Sequence, residues 1–147
     1  MNPVGYFRNY NYDFLNLVKV IVDRRWVILK HVLSKGSFDG LHYDLLLEDV
    51  NDCRSWRLSS IPLLNGPLVE AIAISPHKLY WLERDESLVS GGRGWAKQIC
   101  RGTFSGSFPV YKSEILSIDI ISTSLNGRLQ IVDSLCRITS NPKFDFI

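Results

Sequence analysis

The chain predicts a mainly β fold, a single antiparallel domain preceded by a short N-terminal helix or arm. Aromatic residues make up 12% of its 147 residues, and such side chains suit a pleated, half-buried surface. Short runs of period-two hydrophobicity recur, and turn markers built on Gly, Pro and Asn separate them at a spacing that fits a barrel or a sandwich.

The opening from Asn2 to Tyr12 is polar and aromatic and reads as an arm. Asp13 is placed to cap a short helix with Phe14, Leu17, Val18 and Ile21 on one face, although Val18, Val20 and Val22 also alternate as a strand would. Arg25 to His31 has strand composition, and Ser34, Lys35, Gly36, Ser37, Asp39 and Gly40 form the loop that reverses the chain. In His42 to Glu48 a period of two puts His42, Asp44, Leu46 and Glu48 on one face and Tyr43, Leu45 and Leu47 on the other. Further strands are expected at Arg54 to Leu58, Leu68 to Ser75, Lys78 to Glu83, Trp95 to Cys100, Ile115 to Ser122 and Arg128 to Val132. Asn65-Gly66-Pro67 and Ser75-Pro76 mark turns. Asn126-Gly127 between two alternating runs predicts a type I′ hairpin, whose central residues both need positive φ.

Composition narrows the function classes. Apolar residues reach 46% and charged residues 22%, ordinary for a folded domain, and the net charge of +2 is too small for a global field. Any nucleic-acid contact must therefore come from a local patch. Cys53, Cys100 and Cys136 show no CxxC spacing, which argues against a disulfide framework or a zinc ribbon and for reduced, mostly buried thiols. No basic-then-apolar leader and no membrane-length apolar stretch is present, so a cytoplasmic location with no membrane partner is expected. The division expected is an arm or short helix over 1–24, one domain over 25–140 and a tail over 141–147.

The three histidines are His31, His42 and His77. His42 and Asp44 share a strand face about 7 Å apart at their Cα atoms, close enough to converge on one ion, and His31 lies across the preceding loop. Two imidazoles and a carboxylate with open positions suit a first-row divalent metal, manganese, iron or zinc alike. The plainer alternative is a His42–Asp44 hydrogen bond on a solvated strand.

Lys30-His31, Leu41-His42-Tyr43-Asp44-Leu45-Leu46-Leu47-Glu48 and Ser55-Trp56 follow one another in an order that resembles the 3′-phosphoesterase domain family of bacterial DNA ligase D. Ser75-Pro76-His77, Val89-Ser90-Gly91-Gly92-Arg93-Gly94 and Arg101-Gly102-Thr103-Phe104 continue the similarity, which covers roughly residues 25 to 135. The resemblance implies an antiparallel β-barrel with an open groove, a manganese site made by His31, His42 and Asp44, and His77 beside the 3′-terminal phosphate. His31, His42, Asp44 and His77 would form the catalytic set. It further implies a hydrolase acting as a monomer on nucleic acid 3′ ends in DNA repair, with repair proteins as further partners.

Where that family carries an arginine two residues after the motif aspartate, this chain has Leu46, and where it carries a tyrosine four residues after the phosphate histidine, this chain has Trp81. Short stand-alone relatives tend to carry apolar residues at the Leu46 position, which points to a divergent branch. Arg54, Arg57, Arg93 and Arg101 are replacement cations; Arg93 is favoured as a phosphate ligand because flanking glycines allow close approach, with Arg57 as a second. Trp26, Trp56, Trp81 and Trp95 are expected mainly in the core or groove wall. Neither a P-loop nor a nucleophile elbow occurs. The competing expectations are a catalytically weakened module that binds nucleic-acid ends or a repair partner, and an interaction domain without metal.

Overall fold

A computed structural model describes residues 24–32, 41–110 and 115–140. The strands are β1 (Arg24–Val32), β2 (Leu41–Glu48), β3 (Cys53–Leu58), β4 (Val69–His77), β5 (Glu86–Leu88), β6 (Trp95–Ser105), β7 (Leu116–Ile121), β8 (Gly127–Val132) and β9 (Leu135–Thr139), with a 3-10 helix at Leu79–Leu82. They form one antiparallel sheet in the order β1-β2-β3-β4-β9-β8-β7-β6-β5, and β1 also pairs with β6, so the sheet closes on itself in a ring. β5 hangs on the first residues of β6, from Glu86–Lys97 to Leu88–Trp95.

Period-two patterning sorts the side chains into two apolar clusters. Trp26 and Ile28 of β1, Leu45 and Leu47 of β2, and Leu58 of β3 join Phe104, Ile118, Ile120, Leu129 and Ile138 inside the ring. The alternate residues Val27, Leu29, Leu46 and Cys53 face the other way and pack with Trp81, Leu82 and Ala96. The face expected to carry chemistry is thus itself apolar over half its length. At Gly102 in β6, an added Cβ would collide with the Ile121 carbonyl oxygen and come within 2.8 Å of Trp26 Nε1, so only glycine fits where β6 passes from β1 to β7.

Several sequence expectations change, and Ser75-Pro76, expected as a turn, lies within β4. Lys78 to Glu83 is not a strand: Trp81 and Leu82 are both buried against one surface, which alternation forbids but a tight helical turn allows, and Trp81 N–H donates to Lys78 O at 3.2 Å. The hairpin joining β7 and β8 is present, yet neither Asn126 nor Gly127 has positive φ. Ser122 and Asn126 instead tie off a wider loop, Ser122 N–H donating to Asn126 Oδ1 at 2.8 Å and Leu125 N–H to Ser122 Oγ at 2.8 Å. The two-residue turn lies one strand later, at Asp133 (φ 50) and Ser134 (φ 62), joining β8 to β9. Strands β5 and β9 were not anticipated. Arg24 opens β1 instead of ending the arm. The rest of the arm with its Asp13-capped helix, the Ser34 to Gly40 loop and the 141–147 tail lie outside the described residues. Among the described residues no helix is long and apolar enough to cross a membrane.

Candidate functional site

Antiparallel register brings the site together. His31 of β1 pairs directly with His42 of β2, and Asp44, two residues along β2, pairs with Arg57 of β3. His77 ends β4, opposite Cys53 of β3, where a register shift turns its ring toward β2. His42 and His77 therefore flank one carboxylate, and His31 joins them through His42.

His31 Nδ1 and His42 Nε2 are 2.8 Å apart, with the rings edge to face at 82°. His42 Nε2 lies 3.5 Å from Asp44 Oδ2, His77 Nε2 lies 3.6 Å from the same oxygen, and Arg57 Nε lies 3.7 Å from Asp44 Oδ1. His77 Nδ1 is 2.8 Å from Ser55 Oγ. Because Ser55 Oγ donates its own proton to Cys53 O at 2.9 Å, the His77 Nδ1–H is the donor in that pair, which leaves Nε2 facing Asp44. Ser55 and Asp44 are buried, with Asp44 only 3% exposed.

Electrostatics favour the ligating forms. Burial pushes the Asp44 carboxyl up, but the neighbouring His77, His42 and Arg57 outweigh it and hold the group below its ordinary range. It is an anion at neutral pH. Burial, reinforced by Arg57 and His31 against the opposing pull of Asp44, lowers His42 below its ordinary value. The neutral imidazole that results is the form that coordinates metals.

Do these residues fit a metal ion? Asp44 Oδ1 is buried and makes no hydrogen bond; the Arg57 guanidinium faces it at 3.7 Å, which offsets part of the cost of burying it, while Oδ2 faces the histidines. One ligand atom each from His31, His42 and Asp44 lie within 4.8 Å of one another. Two ligands about 2.1 Å from a common ion and roughly at right angles sit about 3 Å apart, and the separations of 2.8 Å and 3.5 Å straddle that value. The cluster can hold a divalent ion.

The chain matches no protein-family model and no curated protein.

Of the residues anticipated from sequence, His31, His42, Asp44, His77 and Arg57 stand together. Arg93 is present in a different way: its guanidinium donates to Ser90 O at 2.8 Å and Ser90 Oγ at 3.1 Å, while its backbone carbonyl meets His31 Nε2 at 2.7 Å. Arg54 bonds Asp49 and Pro109 O, and Arg101 pairs with Asp85. Leu46 is wholly buried in the second apolar cluster, and Trp81 packs there beside it. Burial pushes the thiols of Cys53 and Cys136 up to about 12, which keeps them protonated and unreactive. Ser55, the anchor of His77, had no assigned role in the sequence reading. Its signal was available, since Cys53, Ser55 and Arg57 alternate on the same face as Asp44. An open cleft along β5 and β6 is lined by Asp85 and Glu86 against Lys97 and Arg101 and holds no histidine.

Proposed function

We propose that the protein is a divalent-metal-dependent phosphoesterase acting at 3′ ends of nucleic acid, removing a terminal phosphate or ribonucleoside in DNA repair within the cytoplasm. In this reading the closed sheet is a β-barrel, the chain is a divergent relative of the ligase D 3′-phosphoesterase domain, and the metal is manganese. The observation that carries it is the cluster of His31, His42 and buried Asp44, whose ligand atoms lie within 4.8 Å of one another, with His77 beside the same carboxylate.

His31, His42 and Asp44 would hold the ion, which when bound supplies charge neutralisation and an acidified water. The chain's own groups handle the rest. Arg57, half exposed beside Asp44, has a guanidinium free to fork toward phosphate oxygens from the solvent side. His77 is held by Ser55 through Nδ1, so Nε2 is the atom that contacts the phosphate and supplies a proton to the leaving oxygen, the primer 3′ oxygen when a phosphate is removed and the 5′ oxygen of the nucleoside when a ribonucleoside is removed. Asp44 fixes the orientation of both His42 and His77.

The second reading, a module that binds nucleic-acid ends or a repair partner without turnover, is favoured by Leu46. The apolar residue fills the position where the family has an arginine, and the Arg93 side chain is engaged with Ser90. Cleavage of an end-labelled primer-template bearing a 3′-phosphate or a single 3′-ribonucleotide, with and without manganese, separates the two. The expected result is manganese-dependent product that falls at least 100-fold in His42→Ala, the scale set by a lost metal ligand together with the catalysis it supports. A folded, metal-loaded wild type that yields no product leaves the binding module.

A further inference from the structure

We propose that the loop from Ser90 to Gly94 is a clamp that fixes the tautomer of His31, through the backbone of Arg93 and not through its charge. A carbonyl oxygen only accepts hydrogen bonds. The 2.7 Å contact between His31 Nε2 and Arg93 O therefore requires a proton on Nε2, and in the neutral ring it leaves Nδ1 with its lone pair. That lone pair faces His42 Nε2 at 2.8 Å, toward the cluster with Asp44. A histidine that ligates a metal with one nitrogen commonly donates from the other to a carbonyl or carboxylate, which sets ring orientation and basicity.

The loop is shaped to present that carbonyl. Gly91, Gly92 and Gly94 have φ of 74°, 69° and 86°, left-handed values that glycine adopts without strain. Val89 N–H donates to Gly94 O at 2.8 Å and closes the loop's base. The Arg93 fork grips Ser90 at both its carbonyl and its hydroxyl, so the side chain spans the loop while the peptide turns toward β1. Three features that look like an exposed, glycine-rich phosphate loop in sequence thus act together on one hydrogen bond. Ser90, Arg93 and Gly94 are positioning residues for His31.

This inference rests on the metal-site part of the proposed function, and two readouts keep the two apart. In the full-length, metal-free protein labelled with 15N-histidine, long-range 1H–15N spectra report which ring nitrogen of His31 is protonated, with assignment by His31→Gln. Wild type is expected to show Nε2–H alone, and Arg93→Ala and Gly94→Ala to show a tautomer mixture. Titration with Mn2+ alone is expected to give affinities about 10–100-fold weaker in both variants, a change that loss of general stability would not couple to the tautomer signal. A wild-type His31 carrying its proton on Nδ1, or on both nitrogens, overturns the clamp, as do variants that keep both the wild-type spectrum and the wild-type affinity. A wild type with Nε2–H that fails to bind Mn2+ supports the clamp and defeats the metal-dependent phosphoesterase.

Discussion

Leu46 sits two residues along β2 from Asp44, with no solvent exposure, in contact with the cluster of Val27, Leu29, Trp81 and Leu82. Its burial explains why an arginine is not simply interchangeable here: the pocket over this strand is filled by the 3-10 helix. Leu46→Arg is expected to lower unfolding stability by about 3 kcal/mol, the scale of an uncompensated buried charge, read as a drop in the urea midpoint. An unchanged midpoint would mean that the arginine reaches Asp44 and pairs there. At this scale His42 and Asp44, with His31 across the loop, were legible from the fixed period of β2, whereas His77, distant in sequence on β4, was named only through the resemblance. The Arg93 carbonyl was not legible, because it is a backbone atom 62 residues from the ring it binds, and nothing in a side-chain pattern reports where a carbonyl points.

Strands β1 to β4 and β6 to β8 were all readable as alternation bounded by turn residues, whereas the segments that failed were short or punctuated by unusual residues. The apolar cluster Leu79-Tyr80-Trp81-Leu82 has strand composition, but tertiary packing onto β1 and β2 decides its conformation. Asp133-Ser134 adopts a turn that glycine and asparagine normally announce, so β9 had no marker before it. Since Ser134 holds φ 62, Ser134→Gly is expected to raise stability by about 0.5–1 kcal/mol by removing left-handed strain, measured as an upward shift in melting temperature. A lower melting temperature would show that the greater freedom of glycine in the unfolded chain outweighs the relief.

For the whole molecule, ionisation couples the fold to pH. His42 is held below its ordinary 6.5, Glu48 below 4.5 and Asp44 below 3.8. In each case the folded protein binds fewer protons than the unfolded chain, so stability rises with pH across the gap and falls on acidification. Burial works against the Glu48 anion, but Arg25 offsets it through hydrogen bonds at 3.0 and 2.9 Å. Stability of the metal-free protein is therefore expected to begin falling below about pH 6.5, where His42 of the unfolded chain takes up a proton that the folded ring refuses, and to fall further below 4.5. Urea midpoints at pH 7.5, 5.5 and 4.0 should decrease in that order, and a midpoint that rises on acidification would contradict the buried, neutral state of His42.

The ring is not equally strong around its circumference. β1 is laced to β6 from Arg24–Phe104 to Val32–Trp95 and to β2 from Trp26–Leu47 to Val32–Leu41, whereas the β4–β9 ladder is two pairs long, Val69–Cys136 and Glu70–Leu135, extended by Ala71 N–H to Ser134 O and Asn65 N–H to Ile138 O, and the β6–β7 ladder runs only from Thr103 to Ser105. Amide protons should record this directly. Transient opening is expected to begin along those two shorter ladders, with their amides exchanging with solvent before those of β1 and β2. The long ladders of β1 with β2 and β6 should keep the wall that carries His31, His42 and Asp44 closed in that opening, and slower exchange of its amides is the measurement that checks it.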